Sequence, residues 1–280
     1  MIIGAHITKE ASILKTIQKI KEFDCNALQL FASNPRSISS PNLDKINDES
    51  PFIFDYCNHN KIKLVIHAPY TINLASSLKV GKRLIDIKDC YWVKLLIENL
   101  KACDIIGAVG CVVHVGKFVK LTPEEGLENM RNAIKFIIEI MKEFKINSKL
   151  MLETPAGQGT ELLTNLDDFI NFYNSFTKTE RKYFKICIDT AHLWSAGYDP
   201  LDGFNKIAKT NEEDILVIHL NNSKKGKGSQ VDVHDDIFSG EMEPEQLIKV
   251  VKKTNDNMII ILEKPSDDLK EEIKKIKSLL

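Results

Sequence analysis

Eight short apolar runs recur along this chain, each followed by a stretch with helical periodicity, and that alternation constrains the fold more than any other feature. The runs read as strands over 2–7 (IIGAHI), 27–32 (ALQLFA), 63–68 (KLVIHA), 111–116 (CVVHVG), 149–154 (KLMLET), 184–189 (FKICID), 215–220 (ILVIHL) and 258–264 (MIIILEK). Amphipathic stretches over 9–23, 42–60, 81–107, 123–145, 166–176, 200–210, 243–254 and 266–279 read as helices. Thr122-Pro123-Glu124-Glu125 is a good helix start, with threonine as cap and proline at the first helical position, and Glu243-Pro244-Glu245 reads similarly. Strands alternating with helices imply a parallel sheet, because each helix carries the chain back to the same sheet end. At 280 residues, eight such units fit an α/β fold of the closed (β/α)8 type. An open doubly wound sheet is the alternative, but no GxGxxG follows the first run. Neither a low-complexity linker nor a composition shift interrupts the pattern, so 1–280 reads as one barrel domain.

Six consecutive runs end on a side chain that can ligate a metal. Leu64-Val65-Ile66 leads to His67, Val112-Val113 to His114, and Leu150-Met151-Leu152 to Glu153. Ile186-Cys187-Ile188 leads to Asp189 with His192 three residues on, Leu216-Val217-Ile218 to His219, and Ile259 to Leu262 leads to Glu263. In a (β/α)8 barrel such ends converge on the C-terminal face, where active sites are built. Asp232 and His234 share one side of an extended segment and bring the set to five His and four carboxylates.

One His or Glu at one strand end is ordinarily a hydrogen-bonded structural residue or a helix cap. Nine in one barrel mouth would desolvate one another severely without cations among them. Mixed imidazole and carboxylate donors suit Zn²⁺, suit Mn²⁺ and Fe²⁺ less well, and disfavour Ca²⁺ and Mg²⁺. At ~3–4 protein ligands per catalytic zinc, nine residues with bridging suit two or three ions. Four carboxylates against three divalent ions leave about +2, matched to a phosphodiester anion.

That local charge matters because the whole chain carries a formal net charge of only −1. No global basic field advertises a polyanionic or membrane partner, so any polyanion must be held by a patch or by metal ions. Six Cys (Cys25, Cys57, Cys90, Cys103, Cys111, Cys187) form no CxxC pair, and several lie in apolar runs. They read as buried, reduced thiols. MIIGAHITKE lacks the basic and apolar regions of a signal peptide, and no apolar run approaches ~18 residues. The expectation is an intracellular, cytoplasmic protein with no membrane association, a nuclear or virus-associated location being left open.

The stretches GAHIT (4–8), VIHAPYTINLAS (65–76), HVG (114–116), LETPAGQG (152–159), CIDTAHLWSAGYD (187–199), IHLNNSK (218–224), VDVH (231–234) and LEKP (262–265) span nearly the whole chain. Together, and in this order, they resemble the endonuclease IV family of abasic-site DNA endonucleases. The resemblance implies a (β/α)8 TIM barrel of the xylose-isomerase-like superfamily with three Zn²⁺. It implies His67, His114 and Glu153 at one ion, with Glu153 bridging to a second held also by Asp189, His219 and Glu263. His192, Asp232 and His234 would hold the third.

The implied activity is a phosphodiester hydrolase of base-excision DNA repair, acting as a monomer on double-stranded DNA that contains abasic sites. It would cut 5′ to the abasic site and leave a 3′-hydroxyl and a 5′-deoxyribose phosphate. Zinc lowers the pKa of water toward ~7 and so supplies hydroxide to attack phosphorus. Glu153 and Glu263 are the catalytic candidates that would orient it.

For DNA binding, Asn34-Pro35-Arg36 resembles the family loop that inserts beside the lesion, and Tyr70 stands where an inserting aromatic is expected. Wedges of this kind unstack and kink a duplex. Lys224, Lys225 and Lys227, interleaved with Gly226 and Gly228, read as phosphate contacts, the plainer alternative being a solvated, mobile loop. Val233 stands where the family usually has Arg, Asp235 where it has a second His, and the usual Gly-rich segment is shortened to SGEMEPEQ. These departures point to weaker DNA affinity. His6 ends the first run and either orients a ligand or does nothing; His59 reads as a surface residue. Lys264, next to Glu263, is expected on the opposite face. A divalent-metal sugar isomerase or epimerase is the competing enzyme on the same barrel, although such sites need fewer ligands. A barrel that only binds nucleic acid leaves the ligands unexplained.

Overall fold

The structure, a computed structural model, describes residues 1–80, 83–264 and 267–280. Eight strands close into a barrel: β1 (Ile2–His6), β2 (Ala27–Phe31), β3 (Lys63–His67), β4 (Gly110–Val113), β5 (Lys149–Glu153), β6 (Phe184–Asp189), β7 (Ile215–His219) and β8 (Ile259–Leu262). Every pair is parallel and follows chain order, and β8 returns to β1 with Ile259 opposite Ile2 and Leu262 opposite Ala5. The expected (β/α)8 fold is the one observed. Around it lie α1 (Ile13–Glu22), α2 (Leu43–Asn60), α3 (Tyr91–Ile106), α4 (Pro123–Glu143), α5 (Leu166–Asn174), α6 (Thr190–Ser195), α7 (Pro200–Asn211), α8 (Pro244–Val251) and α9 (Leu269–Ser278).

Strand side chains sort by parity. Leu64 and Ile66, Leu150 and Leu152, and Ile186 and Ile188 join the large cluster shared with the helices. Ala27, Val65, Val112, Met151, Cys187, Val217, Ile259 and Ile261 form a second cluster that plugs the barrel. Alternation then places the residue two positions further on over the same axis. Val65 predicts His67, Val112 His114, Met151 Glu153, Cys187 Asp189, Val217 His219 and Ile261 Glu263. Six of the nine candidate ligands are one more layer of the barrel interior, stacked on an apolar floor. At the other wall, β1 and β2 approach so closely that a Cβ on Gly4 would lie 1.7 Å from the Ala27 carbonyl oxygen, which admits only glycine there.

Several boundaries differ from expectation. The helix expected over 81–107 begins only at Tyr91. Before it, Lys79–Val80 pairs antiparallel with Arg83–Leu84, and a 3-10 turn spans Ile87–Asp89 with the Asp86 side chain as its cap. The starts of the expected helices 81–107 and 266–279, and Pro265 of the LEKP stretch, lie outside the described residues. Thr122 and Glu125 form a reciprocal capping box, as the sequence predicts. Glu243 stands before Pro244 at the start of α8, but its side chain makes no capping bond.

Two elements were not anticipated. α6 begins immediately after β6 because the Asp189 carboxylate accepts the His192 amide at 2.8 Å. A short antiparallel pair sets Asn222–Ser223 against His234–Asp235 and folds the VDVH segment back over the mouth. All six cysteines are free and buried, and His59 is exposed on α2. Among the described residues no helix is long and apolar enough to cross a membrane.

Candidate metal centre

The nine sequence-predicted ligands meet at the C-terminal mouth in three groups that share members. In the first, His67 Nε2 and His114 Nε2 each lie 3.4 Å from Glu153 Oε2. In the second, His219 Nδ1 lies 2.8 Å from Glu153 Oε1, 3.3 Å from Glu263 Oε2 and 3.8 Å from Asp189 Oδ2. In the third, His192 Nε2 and His234 Nε2 both lie 3.2 Å from Asp232 Oδ1, and His234 Nε2 is 3.6 Å from Asp189 Oδ2. Glu153 divides its two oxygens between the first and second groups, and Asp189 connects the second to the third.

Backbone and amide acceptors fix which ring nitrogen is free. The His67 Nδ1–H donates to the Ala68 carbonyl at 2.8 Å, and the His192 Nδ1–H to the Thr154 carbonyl at 2.8 Å. A carbonyl can only accept, so Nε2 of each ring is left with its lone pair directed at a carboxylate. Glu153 Oε2, His192 Nε2 and His234 Nε2 are buried and have no hydrogen-bond partner. Between such a nitrogen and a carboxylate oxygen a cation must stand, a proton in the metal-free protein or a divalent ion in its place. The donor set therefore fits divalent metal, with histidines held by second hydrogen bonds as metal-ligating imidazoles are.

The charges compensate within the cluster. Burial opposes an imidazolium at His67, but the facing Glu153 carboxylate outweighs burial and pushes it up to about 9. His234 is likewise raised to about 9, Asp189 and Asp232 overcoming burial. Burial also opposes the Glu153 carboxylate, yet His114 and His219 hold it well below the usual carboxylate range. At His114 burial dominates and the imidazole is lowered. Cys187 sits against Glu153 and His219, but burial raises its thiol far above the ordinary range, which makes it a poor ligand.

Sequence reasoning missed the amides that hold this layer. Gln29, fully buried on β2, accepts the His219 Nε2–H at 2.8 Å and donates to Glu263 Oε1 at 2.7 Å. Its Nε2 also lies 3.1 Å from His6 Nδ1, which ties His6 to the same layer. Asn221 donates to Asp189 Oδ2 at 2.7 Å and to Glu263 Oε2 at 3.1 Å, while its Oδ1 accepts the Glu263 amide at 2.9 Å. A signal existed for Gln29: an amide inside ALQLFA, in phase with the inward-facing Ala27.

Above the ligands opens a cleft of about 830 Å³, lined by His67, His114, Asp232, His234 and Glu263 together with Asn34, Pro35 and Tyr70. Tyr70 is 59% exposed, with its ring 5.3 Å from Phe31, 5.8 Å from His67 and 5.9 Å from His114. Its amide donates to the Pro35 carbonyl at 2.9 Å, tying the two candidate wedge loops together. Arg36 is exposed beside them, outside the cleft lining.

Lys224, Lys225 and Lys227 are exposed and also outside that lining. Their loop is not a free connection. Trp194 Nε1 donates to the Lys225 carbonyl at 3.0 Å, Gly228 N to the Trp194 carbonyl at 2.9 Å, and Lys227 Nζ stands 5.6 Å over the indole. Lys264 lines the cleft, contrary to expectation: β8 ends at Leu262, so strand alternation no longer governs position 264.

Comparison with known proteins places this geometry among relatives. The family model described as xylose isomerase-like TIM barrel matches residues 17–279. A relative from Acanthamoeba polyphaga mimivirus, whose name assigns it to endonuclease 4, is 30% identical over 96% of this chain and 87% of its own length. Among solved structures, endonuclease IV from Thermus thermophilus superposes with a TM-score of 0.77 at 22% identity, covering 100% of this chain and 98% of that one. A D-tagatose 3-epimerase-like protein gives 0.74 at 18% identity, covering 100% and 97%. At those identities the two structures speak to the fold alone.

Proposed function

The chain belongs to the xylose isomerase-like TIM barrel family and, within it, to the endonuclease 4 family, and on that footing we propose that it is a metal-dependent DNA endonuclease of base-excision repair. In this reading it hydrolyses the phosphodiester 5′ to an abasic site in duplex DNA and leaves a 3′-hydroxyl and a 5′-deoxyribose phosphate. The observation that carries the reading is the trio of buried ligand atoms, Glu153 Oε2, His192 Nε2 and His234 Nε2, that find no hydrogen-bond partner among the described residues and sit in a nine-residue cluster at the barrel mouth, Asp232 joining it through His192 and His234.

His67, His114 and Glu153 would hold one ion; Glu153, Asp189, His219 and Glu263 a second; His192, Asp232 and His234 a third. Zinc suits these donors best. Bound there, divalent ions supply Lewis acidity that polarises the phosphodiester and acidifies water. The chain's own residues do the rest. Glu263, 12% exposed and lining the cleft, is the carboxylate placed to orient water, whereas Glu153 at 1% is enclosed and serves as the bridge. Gln29 and Asn221 hold the Glu263 oxygens in place. Tyr70 and Asn34 at the rim, with Arg36 beside them, would wedge the duplex open, and Lys224, Lys225 and Lys227 would approach its phosphates.

Sugar isomerisation or epimerisation on the same barrel leaves the third group, His192 with Asp232 and His234, without a task. Elemental analysis of the purified protein, run beside nicking of a duplex with one abasic site, tests the proposal. About three metal equivalents and incision lost on prolonged chelation are expected. One ion per chain with full activity would sink the three-metal assignment, and no incision by metal-replete protein would sink the endonuclease.

A further inference from the structure

Beside the metal cleft lies a second compartment of about 340 Å³ that shares Tyr70, His114 and Asp232 with it. Its lining also includes Lys117, Gln158, Asn73, Ile72 and Val119. Lys117 is half-buried, and among the described residues its Nζ has one hydrogen-bond partner, the Gln158 amide oxygen 3.4 Å away. Among the described residues it makes no ion pair. The nearby Glu161 carboxylate feels the Lys117 charge without forming an ion pair with it, and its Oε2 accepts the amides of Gly157 and Gln158 at 2.9 and 3.2 Å. Asp232 is committed to His192 and His234.

The position is rigid. Asn73 clamps the Lys117 backbone from both sides, its Oδ1 accepting the amide at 2.9 Å and its Nδ2 donating to the carbonyl at 2.8 Å. The Lys117 backbone also pairs antiparallel with that of Glu161, and a Cβ on the preceding Gly116 would lie 2.6 Å from Ala75. With one neutral amide as its hydrogen-bond partner, the clamped ammonium keeps N–H donors free for an anion.

We propose that this compartment is a deoxyribose-phosphate subsite: Lys117 and Gln158 receive a DNA backbone phosphate neighbouring the scissile one, and its sugar packs on Ile72 and Val119. The pairing is charge-assisted, ammonium to phosphate oxygen. Lys117 is a positioning residue, since the subsite grips the strand beside the bond that breaks. The assignment rests on the endonuclease reading for its ligand.

The test uses metal-replete wild type, Lys117→Gln and Lys117→Arg, each checked for fold by circular dichroism. Incision kinetics on an abasic-site duplex are measured alongside fluorescence anisotropy on the nicked product duplex across a salt series. Lys117→Gln should raise KM by ~10-fold with kcat within about twofold, and flatten the slope of log K against log salt by ~0.9, one phosphate contact. Lys117→Arg should restore most of both. An unchanged salt slope and KM in Lys117→Gln overturns the subsite, as does a fall in kcat alone. Wild type that binds the nicked duplex with a Lys117-dependent slope yet leaves the abasic duplex uncut supports the subsite and sinks the endonuclease reading instead.

Discussion

His219 is held between Gln29 and Glu153: its Nε2 donates to the Gln29 amide oxygen at 2.8 Å while its Nδ1 faces Glu153 Oε1 at 2.8 Å. The first contact decides the second. A proton held at Nε2 leaves a lone pair on Nδ1, and that lone pair points into three carboxylates. A buried amide on β2 thereby selects the tautomer of a candidate ligand on β7, on the other side of β1 and β8.

Replacing Gln29 by Met, similar in length but without an acceptor, should therefore loosen the second metal group without emptying the core. Metal affinity at that group should fall ~10–100-fold, the usual effect of removing a partner that orients a ligand. Chelator competition followed by elemental analysis reads this directly. Unchanged retention in a folded Gln29→Met protein would show that His219 needs no such support.

The histidines predict how metal-stripped protein responds to pH. His67 and His234 are raised to about 9 from an ordinary 6.5. Their contribution to stability is then complete below ~6.5 and is lost as pH rises through 9. The melting temperature of stripped protein should fall between pH 7 and pH 9.5. With zinc restored the trend should reverse, because ligation requires neutral imidazoles and releases protons. Melts at matched ionic strength, with chelator and with zinc, check both slopes; two parallel curves would contradict the assignment.

Much of this was legible in the residues because one periodicity governs both fold and site. The alternation that makes Val65 part of the plug also makes His67 part of the mouth, so strand reading and ligand reading were a single inference. Where the chain leaves the strands, that rule lapses. Lys264 lies beyond the end of β8 and lines the cleft instead of facing away. The segment before α3 is apolar enough to pass for helix, yet it forms a pair of two-residue strands and a 3-10 turn whose contacts are short-range. Gln29 and Asn221 escaped notice for a different reason. Amides are not metal ligands, and their value lies in accepting and donating at once, which only the assembled layer reveals.

Glu153→Gln separates charge from shape. The side chain is 1% exposed and central, so the outcome turns on the lost negative charge, not on a lost surface group. The amide remains able to donate to His219, and the fold should persist by circular dichroism. Incision should fall by about 10²–10³-fold or more, the several kcal/mol that a metal contributes to charge stabilisation in the transition state. Metal content should drop with it. A folded Glu153→Gln protein with near wild-type turnover would remove Glu153 as the bridge.

The bond that breaks is the most decisive prediction, and Lys9 and Lys264 make it less trivial than the sequence implied. Both line the cleft that contains Glu263, so an amine stands near where an abasic sugar would sit. A lyase would use such an amine to form a Schiff base at the sugar aldehyde and would leave an unsaturated, blocked 3′ end. Hydrolysis at phosphorus needs no amine. It leaves a 3′-hydroxyl that a polymerase extends directly. The nine-residue cluster favours hydrolysis, since divalent ions held there would supply hydroxide for attack on phosphorus, and a Schiff base draws on no metal. Incision should therefore give fully extendable ends, yield no covalent adduct with borohydride, and survive Lys264→Ala with turnover within a fewfold of wild type. A borohydride-trapped complex that disappears in Lys264→Ala or Lys9→Ala would assign the cut to the lysine and leave the metals a structural role.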